Sequence, residues 1–313
     1  MKRIFITGVS GYIGMKIARA LADHSRVEKI VGIDIRPPIE NLEGVLFINK
    51  DVRAPMVEIL NEHCIDTVIH AAYVLPPLHD TALMEDINVS GTRNILDAAA
   101  AAGVGQLLYT SSTTAYGFYP DNPVPLIEES PLRGNDDFTY AKNKKEIEWI
   151  FKDFTAAHPE MAVTILRPCF VAGPGFDNPL SRYLQKPLVP LPPKTAQFQF
   201  VHEDDLVAVM IMCLEDKLTG IYNVAGEGTL TFPEMVSLLG KRVLHLPLWL
   251  IVPLNSLFWQ LRLKFLTEFP SSGFNLILYP WTASSQRLLE KTRFRFQYTS
   301  RSAFEDFVQA VRQ

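Results

Sequence analysis

Over the first half of the chain, two kinds of segment alternate. Short apolar runs, rich in β-branched residues and bounded by turn formers, occur at 3–7, 29–34, 45–48, 67–71, 106–111 and 163–167. Runs of this length and content predict buried strands. Between most of them, apolar residues recur at helical spacing, which predicts helices at 12–23, 55–62, 84–102 and 138–157. Strand and helix in strict alternation favour a parallel sheet with helices on both faces. Right-handed crossovers then make the fold an α/β, Rossmann-type doubly wound sheet.

The pattern changes after residue 167. Seven prolines fall between Pro168 and Pro193, so long regular elements are not expected there. A helical run at 204–215 and a strand-like run at 220–224 follow. From 226 onward the chain is helix-rich and closes on a helix at 301–311. The expected organisation is a Rossmann core of residues 1–175 with 200–225, and a smaller, helix-rich cap of residues 176–199 with 226–313. Substrate would sit in the cleft between them, at the carboxyl ends of the strands.

One segment tests the picture of a protein without membrane spans. Residues 246–261 carry no charge, but the run is 16 residues long and is broken by Pro247, Pro253, Asn255 and Gln260. A spanning helix needs about 20 apolar residues, so no transmembrane segment is expected. The main expectation is a buried or cleft-lining helix pair. The alternative is peripheral membrane contact or a dimer face.

Composition narrows the function classes. Of 313 residues, 48% are apolar and 20% charged, enough to build a substantial core. The net charge of −4 leaves no positive excess for a phosphate backbone, so nucleic acid is not an expected partner. Cys64, Cys169 and Cys213 are scattered, which predicts neither a disulfide framework nor a metal site. The first apolar run is too short for a signal peptide and a glycine-rich turn follows at once, so a cytoplasmic protein is expected.

That turn is the first candidate site. Gly8, Gly11 and Gly14 are spaced three apart, directly after the first strand and at the opening of the first helix. Gly8 would permit the tight turn, Gly11 the approach of backbone N–H groups to a pyrophosphate, and Gly14 close helix–strand packing. Asp34 ends the second strand, about 20 positions on, where a carboxylate accepts from adenosine ribose hydroxyls and repels a 2′-phosphate. The expected cofactor is therefore NAD rather than NADP. Arg36 can blunt that preference, and a plain turn aspartate is the alternative for Asp34. Asp51 and Val52, after the third strand, are candidates for bracketing the adenine.

Tyr140 and Lys144 stand four apart near the start of a predicted helix, on one helix face. A nearby ammonium stabilises phenolate, so Lys144 is expected to lower the pKa of Tyr140. The phenol could then exchange a proton with a substrate hydroxyl or carbonyl. The alternative is a solvated helix face. Thr110 to Thr114 put a hydroxyl cluster at the end of the fifth strand, where it can bond a reacting oxygen or simply serve the turn.

Cradle, acidic strand end, hydroxyl cluster and Tyr/Lys pair occur in order on the expected elements. With them, the chain resembles the extended short-chain dehydrogenase/reductases, the superfamily of the NAD-dependent epimerase/dehydratases. Further matching strings are His70-Ala71-Ala72, Asn88-Val89-Ser90-Gly91-Thr92, Leu166-Arg167-Pro168, Gly173-Pro174-Gly175, Phe200-Val201-His202-Glu203-Asp204-Asp205 and Tyr222-Asn223-Val224-Ala225-Gly226. The resemblance implies Ser112 as the catalytic hydroxyl, aligned on Tyr116-Gly117. It implies Tyr140 as acid/base and Lys144 as ribose anchor. It also implies cofactor contacts by Tyr12, Ile13, Ala71, Ala72, Asn88, Tyr140, Lys144 and Pro168, together with the glycines. Pairing of helix faces in a homodimer is an expectation of the same kind.

The chain departs from its relatives in places that bear on the reaction. Sugar dehydratases of this type carry Asp-Glu after the catalytic hydroxyl, where this chain has Thr113 and Thr114; without carboxylates, elimination lacks its proton carriers. Nucleotide-sugar epimerases place an asparagine where Phe170 stands, and an arginine where the chain reads Gln197-Phe198-Gln199. A buried diphosphate without positive partners is costly. The substrate expected is a small molecule of lower charge, such as an alicyclic, aromatic or lipid-like alcohol or ketone. His202, His70 and His79 are expected to be structural, and Cys169 a packed thiol.

The main expectation is an NAD-dependent oxidoreductase moving hydride to or from a secondary alcohol or ketone. One alternative is an NAD-retaining (nucleotide-)sugar epimerase. Another is a non-catalytic dinucleotide-sensing protein.

Overall fold

The computed structural model describes residues 1–313. Seven strands form one all-parallel sheet: β1 Arg3–Thr7, β2 Lys29–Asp34, β3 Val45–Asn49, β4 Thr67–His70, β5 Gln106–Thr110, β6 Ala162–Pro168 and β7 Gly220–Val224. Their order is β7-β6-β5-β4-β1-β2-β3. The central strands are buried along their whole length, as continuous rather than alternating apolar runs require. The chain works outward from β1 to β3, then returns to β4 on β1's other side. That reversal opens a crevice between the carboxyl ends of β1 and β4.

Helix boundaries agree with the sequence pattern to within one or two residues, with one exception. The helix expected at 84–102 is three pieces: Thr81–Glu85, a wide π-helical turn at Asp86–Ser90, and Gly91–Ala101. Packing explains the break, because a Cβ at Gly91 would lie 2.5 Å from Val52 Cγ1, so that turn of helix sits hard against the third strand's loop. The same turn carries Asn88 inward.

Residues 176–199 and 226–313 lie outside the large sheet and are tied together by small ladders. Leu188–Leu191 runs parallel to Arg242–His245, and Gln197–Phe198 pairs antiparallel with Leu230–Thr231. Their apolar side chains, including Phe198, Phe232 and Trp281, share one continuous core with Ile4, Ile6 and Leu108 of the sheet.

The 246–261 segment corrects the expectation of a buried helix pair, while Trp259 does line the cleft. It is a single helix, Leu248–Gln260, that runs straight through Pro253. Only Ile251 and Asn255 are buried in it, and Trp249 is 75% exposed. Pro253 lies on the exposed side, so the carbonyl it leaves unpaired faces water and the break costs little. No helix is long and apolar enough to cross a membrane.

Candidate active site

The glycine turn is built as its spacing requires. Gly8 sits at φ 69°, its N–H donating to Ile33 O at 2.9 Å. A Cβ there would meet the Ala72 backbone at 2.6 Å, so only glycine lets β1's end approach β4's. A Cβ on Gly14 would lie 2.0 Å from Gly8 O, which fixes how closely the first helix, Tyr12–Ala22, packs on the turn. Gly11 is that helix's N-cap, and no side chain caps it. The free amides and the positive helix end face the crevice, the donor set a pyrophosphate takes.

Asp34 stands beside the turn. Its carboxylate accepts from Ser10 N at 3.3 Å and Arg36 N at 3.2 Å, leaving lone pairs for ribose hydroxyls. Ala71 N donates to Thr7 O and Ala72 N to Thr7 Oγ1, so both line the crevice by backbone. Tyr12, whose hydroxyl donates to Glu203, and Lys16, 2.6 Å from the same carboxylate, tie the first helix to the helix Glu203–Glu215 within the core. Glu203 also accepts from Gly175 N at 3.1 Å. Ile13 follows Tyr12 in the helix's first turn and packs partly buried against the core.

Asp51 and Val52 are less free than their position suggests. Arg53 grips the Asp51 carboxylate through Nε and NH2, at 3.0 and 2.6 Å, and holds its pKa below the usual carboxylate range. Val52 is core, with its carbonyl accepting from Asn94.

The reacting groups converge at the ends of β5 and β6. Ser112 caps the turn Thr113–Tyr116 by accepting from Thr114 N at 3.2 Å. The hydroxyls of Ser112 and Thr114 both lie against Tyr140, near the start of the helix Thr139–Ala157. Thr114 Oγ1 is buried with no partner of ordinary hydrogen-bond geometry. Pro168 closes the floor, its carbonyl 3.4 Å from Thr113 Oγ1.

One expectation fails here. Burial raises the pKa of Tyr140, Ser112 and Thr114 pull it down by less, and Lys144 has no part in the shift. The reason is geometric. The ammonium donates to Thr110 O at 2.8 Å and to Tyr109 OH at 3.2 Å, and lies 3.8 Å over the ring of Tyr73. Lys144 is 2% exposed and has no carboxylate partner, and burial lowers its pKa to about 7.

An unfolded lysine titrates near 10, so the unfolded state binds the extra proton between pH 7 and 10. Stability should therefore rise with pH across that window. Replacing Lys144 with Met is expected to stabilise the protein at pH 7 by about 1–3 kcal/mol, with the gain fading toward pH 10. Denaturant unfolding at the two pH values measures it.

Tyr73 was not singled out by the sequence. Its hydroxyl donates to Tyr140 O at 3.0 Å and its ring meets that of Tyr140 edge-on at 5.1 Å, so it bridges phenol and ammonium. Asn88 positions it, Oδ1 accepting from Val74 N at 2.8 Å. Behind the site, Arg167 and Glu148 form a buried pair, with Ser111 donating to Glu148 and Arg167 NH1 reaching Tyr116 OH at 2.7 Å. This network fixes the Ser111–Ser112 corner against the helix of Tyr140.

His70, His202 and Cys169 are structural as expected, whereas His79 is exposed and lines the cleft beside Tyr140. His70 is held between Thr7 and Thr92, and burial first, Lys144 second, push its pKa down to about 3. His202 caps a helix and reaches Asp306 at 3.0 Å. Cys169 is buried, which raises its thiol pKa.

The cleft beside Tyr140 is lined by Pro77, Leu78, His79, Phe138, Trp259 and Pro270, among others. His79 stacks on Trp259 at 4.1 Å. Deeper in the cap, Phe170 packs on Phe198 and Trp281, at 5.9 and 5.4 Å. The neighbouring Gln199 amide is consumed by Gly226 O and Ala283 N.

The model of the "NAD dependent epimerase/dehydratase family" matches residues 4–225. The chain belongs to this family. Among its relatives is an uncharacterized protein of Mycobacterium tuberculosis, 26% identical over 98% of this chain and 83% of that one. A UDP-glucose 4-epimerase of Yersinia enterocolitica is 32% identical over 52% of each chain. In fold, the chain superposes on the UDP-glucose 4-epimerase of Thermotoga maritima with a TM-score of 0.80, at 18% identity, over 99% of this chain and 98% of that one. The family's nicotinamide cofactor fits the residues present, because glycine is required at positions 8 and 14, the helix amides of Tyr12 and Ile13 are free while that of Gly11 donates to Gly8 O, and a carboxylate stands at 34.

Proposed function

We propose that this family member catalyses NAD-dependent hydride transfer at a secondary carbinol or carbonyl carbon, with Ser112, Tyr140 and Lys144 as its catalytic residues. The observation that carries the reading is that the turn Thr113–Tyr116, capped by Ser112 at the end of β5, packs against the helix Thr139–Ala157 that carries Tyr140.

NAD, when bound, supplies the carbon that gives or takes the hydride. The chain's residues handle the proton. A raised pKa keeps Tyr140 protonated at neutral pH, which suits it to donate to a ketone oxygen as the alcohol forms. Ser112 Oγ holds that oxygen. In the alcohol-oxidising direction Tyr140 must accept the proton instead, and the Ser112 and Thr114 hydroxyls, which pull its pKa down, stabilise the phenolate that accepts it. Lys144 anchors the cofactor ribose. Gly8, Gly11, Tyr12, Ile13 and Gly14 hold the pyrophosphate, Asp34 the adenosine ribose, and Ala71, Ala72, Asn88 and Pro168 the nicotinamide end. Residues 1–175 with 200–225 serve as the NAD-binding unit and 176–199 with 226–313 as the substrate cap.

The apolar side chains that line the cleft beside Tyr140, among them Pro77, Leu78, Phe138, Trp259 and Pro270, support a substrate of low charge. A second reading, epimerisation with the cofactor retained, draws on the relatives named as UDP-glucose 4-epimerases. Those names support it better than they support net oxidation. Both readings begin with the same hydride transfer.

The test is to incubate the protein with two panels, low-charge secondary alcohols with NAD or the matching ketones with NADH, and nucleotide-diphosphate sugars with NAD. NADH is followed by absorbance and inversion by product analysis. NADH formed with the alcohols, or consumed with the ketones, supports net oxidoreduction. Inversion without net NADH, by protein that keeps its cofactor through gel filtration, supports epimerisation. No turnover on either panel, by protein that binds NAD, would favour a dinucleotide sensor. A cytoplasmic location, supported by three free cysteines, and a homodimer, which light scattering measures, complete the proposal.

A further inference from the structure

The helix Leu248–Gln260 buries one narrow edge, Ile251 and Asn255, and leaves the rest of its apolar surface open. At 100° per residue, Trp249, Pro253, Leu257 and Leu261 fall on one arc turned away from that edge, with Leu254 at its margin and Gln260 its one polar position, and all are exposed. The turn that follows adds Phe265, which like Trp249 is 75% exposed. A contiguous apolar face of this kind marks an interaction surface.

Charge says what covers it. Residues 235–267 contain Lys241, Arg242, Arg262 and Lys264 and not one aspartate or glutamate. Arg262 and Lys264 are exposed at the end of the apolar arc. Lys186 joins the same rim, its Nζ donating to Leu266 O at 2.6 Å, and Arg242 stands beside Leu188 in the adjoining ladder. Glu268, the first acid beyond, is neutralised by Arg182 at 2.7 Å. Apolar side chains with a tryptophan at the centre and bases at the rim are the complement of an anionic bilayer surface.

We propose that this face docks the protein on anionic phospholipid, with Trp249, Leu257, Leu261 and Phe265 entering the headgroup–acyl boundary and Arg262 and Lys264 on the lipid phosphates. The proposal goes beyond the catalytic reading and does not depend on it. Its consequence is positional, because Trp259 on the flank of the same helix lines the cleft beside Tyr140, so docking sets the cleft's mouth at the membrane.

Co-sedimentation of the full-length protein with phosphatidylglycerol vesicles, against phosphatidylcholine vesicles, tests this. Binding is expected to the anionic vesicles and to weaken as salt is raised. Arg262→Gln with Lys264→Gln is expected to weaken it about 25-fold, roughly fivefold per base. Trp249→Ser with Phe265→Ser is expected to reduce it to background with an unchanged melting temperature, since both side chains are exposed. Equal pelleting with both vesicle types and no response to the charge variants would overturn the proposal. So would failure to bind either vesicle type by a dimer that the Trp249→Ser variant dissociates, which would make the face a contact between two copies.

Discussion

Replacing Tyr140 with phenylalanine is expected to lower turnover by about 10²–10⁴-fold while NAD still binds. The ring is retained, and with it the edge-on contact with Tyr73 at 5.1 Å and the tilted contact with Phe138 at 6.2 Å. Only the hydroxyl is lost, and with it the one acid in reach of an oxygen held by Ser112. The cradle at residues 8–14 and the carboxylate of Asp34 are untouched, so a titration with NAD should give an affinity close to wild type. Turnover of the variant at the wild-type rate would remove Tyr140 from the mechanism. Loss of NAD binding as well would show that the phenol serves chiefly to build the groove.

Gly14→Ala is expected to abolish measurable NAD binding, a loss of at least about 100-fold. The added methyl would lie 2.0 Å from Gly8 O, 2.8 Å from Gly8 C and 3.0 Å from Val9 Cα. All three are backbone atoms that cannot rotate aside, so the first helix must lift off the turn and carry its free amides away from the crevice. Overpacking of this kind also costs about 1–3 kcal/mol of stability. Gly105→Ala is the control, since its Cβ would find nothing nearer than Asp66 O at 3.9 Å and no positive φ constrains it. Isothermal titration with NAD and thermal unfolding of both variants measure the contrast. Wild-type affinity in the Gly14→Ala protein would place the dinucleotide elsewhere.

What the sequence shows plainly is what local patterns encode. Strands β1, β2, β4 and β5 are continuous apolar runs between turn residues, and the glycine spacing follows directly on the first of them. The crowding around Gly8 and Gly14 bears out the reason for their being glycine. The Tyr140–Lys144 spacing also predicts a shared helix face, but not where the two side chains end. Lys144 has a carbonyl to reach, Thr110 O, and takes it. Tyr73 acts through a loop pinned by Asn88, a contact across 15 residues of chain with no local signal. Thr114 joins Ser112 only because the tight turn Thr113–Tyr116 brings alternate hydroxyls together. The pairing of Asp51 with Arg53 had a signal, two opposite charges two residues apart after a strand. The Leu248–Gln260 helix misled because it is apolar on every side, and a pattern without a polar face does not say which side is turned outward.

The central claim is tested most directly by a crystal structure of the protein with NAD bound. The account predicts the pyrophosphate on the amides of Tyr12 and Ile13, the adenosine ribose on Asp34, the nicotinamide ribose on Lys144, and the reactive ring carbon facing the space between Ser112 and Tyr140. A nicotinamide ring turned away from Tyr140, or a crevice between β1 and β4 that stays closed in saturating NAD, would contradict it.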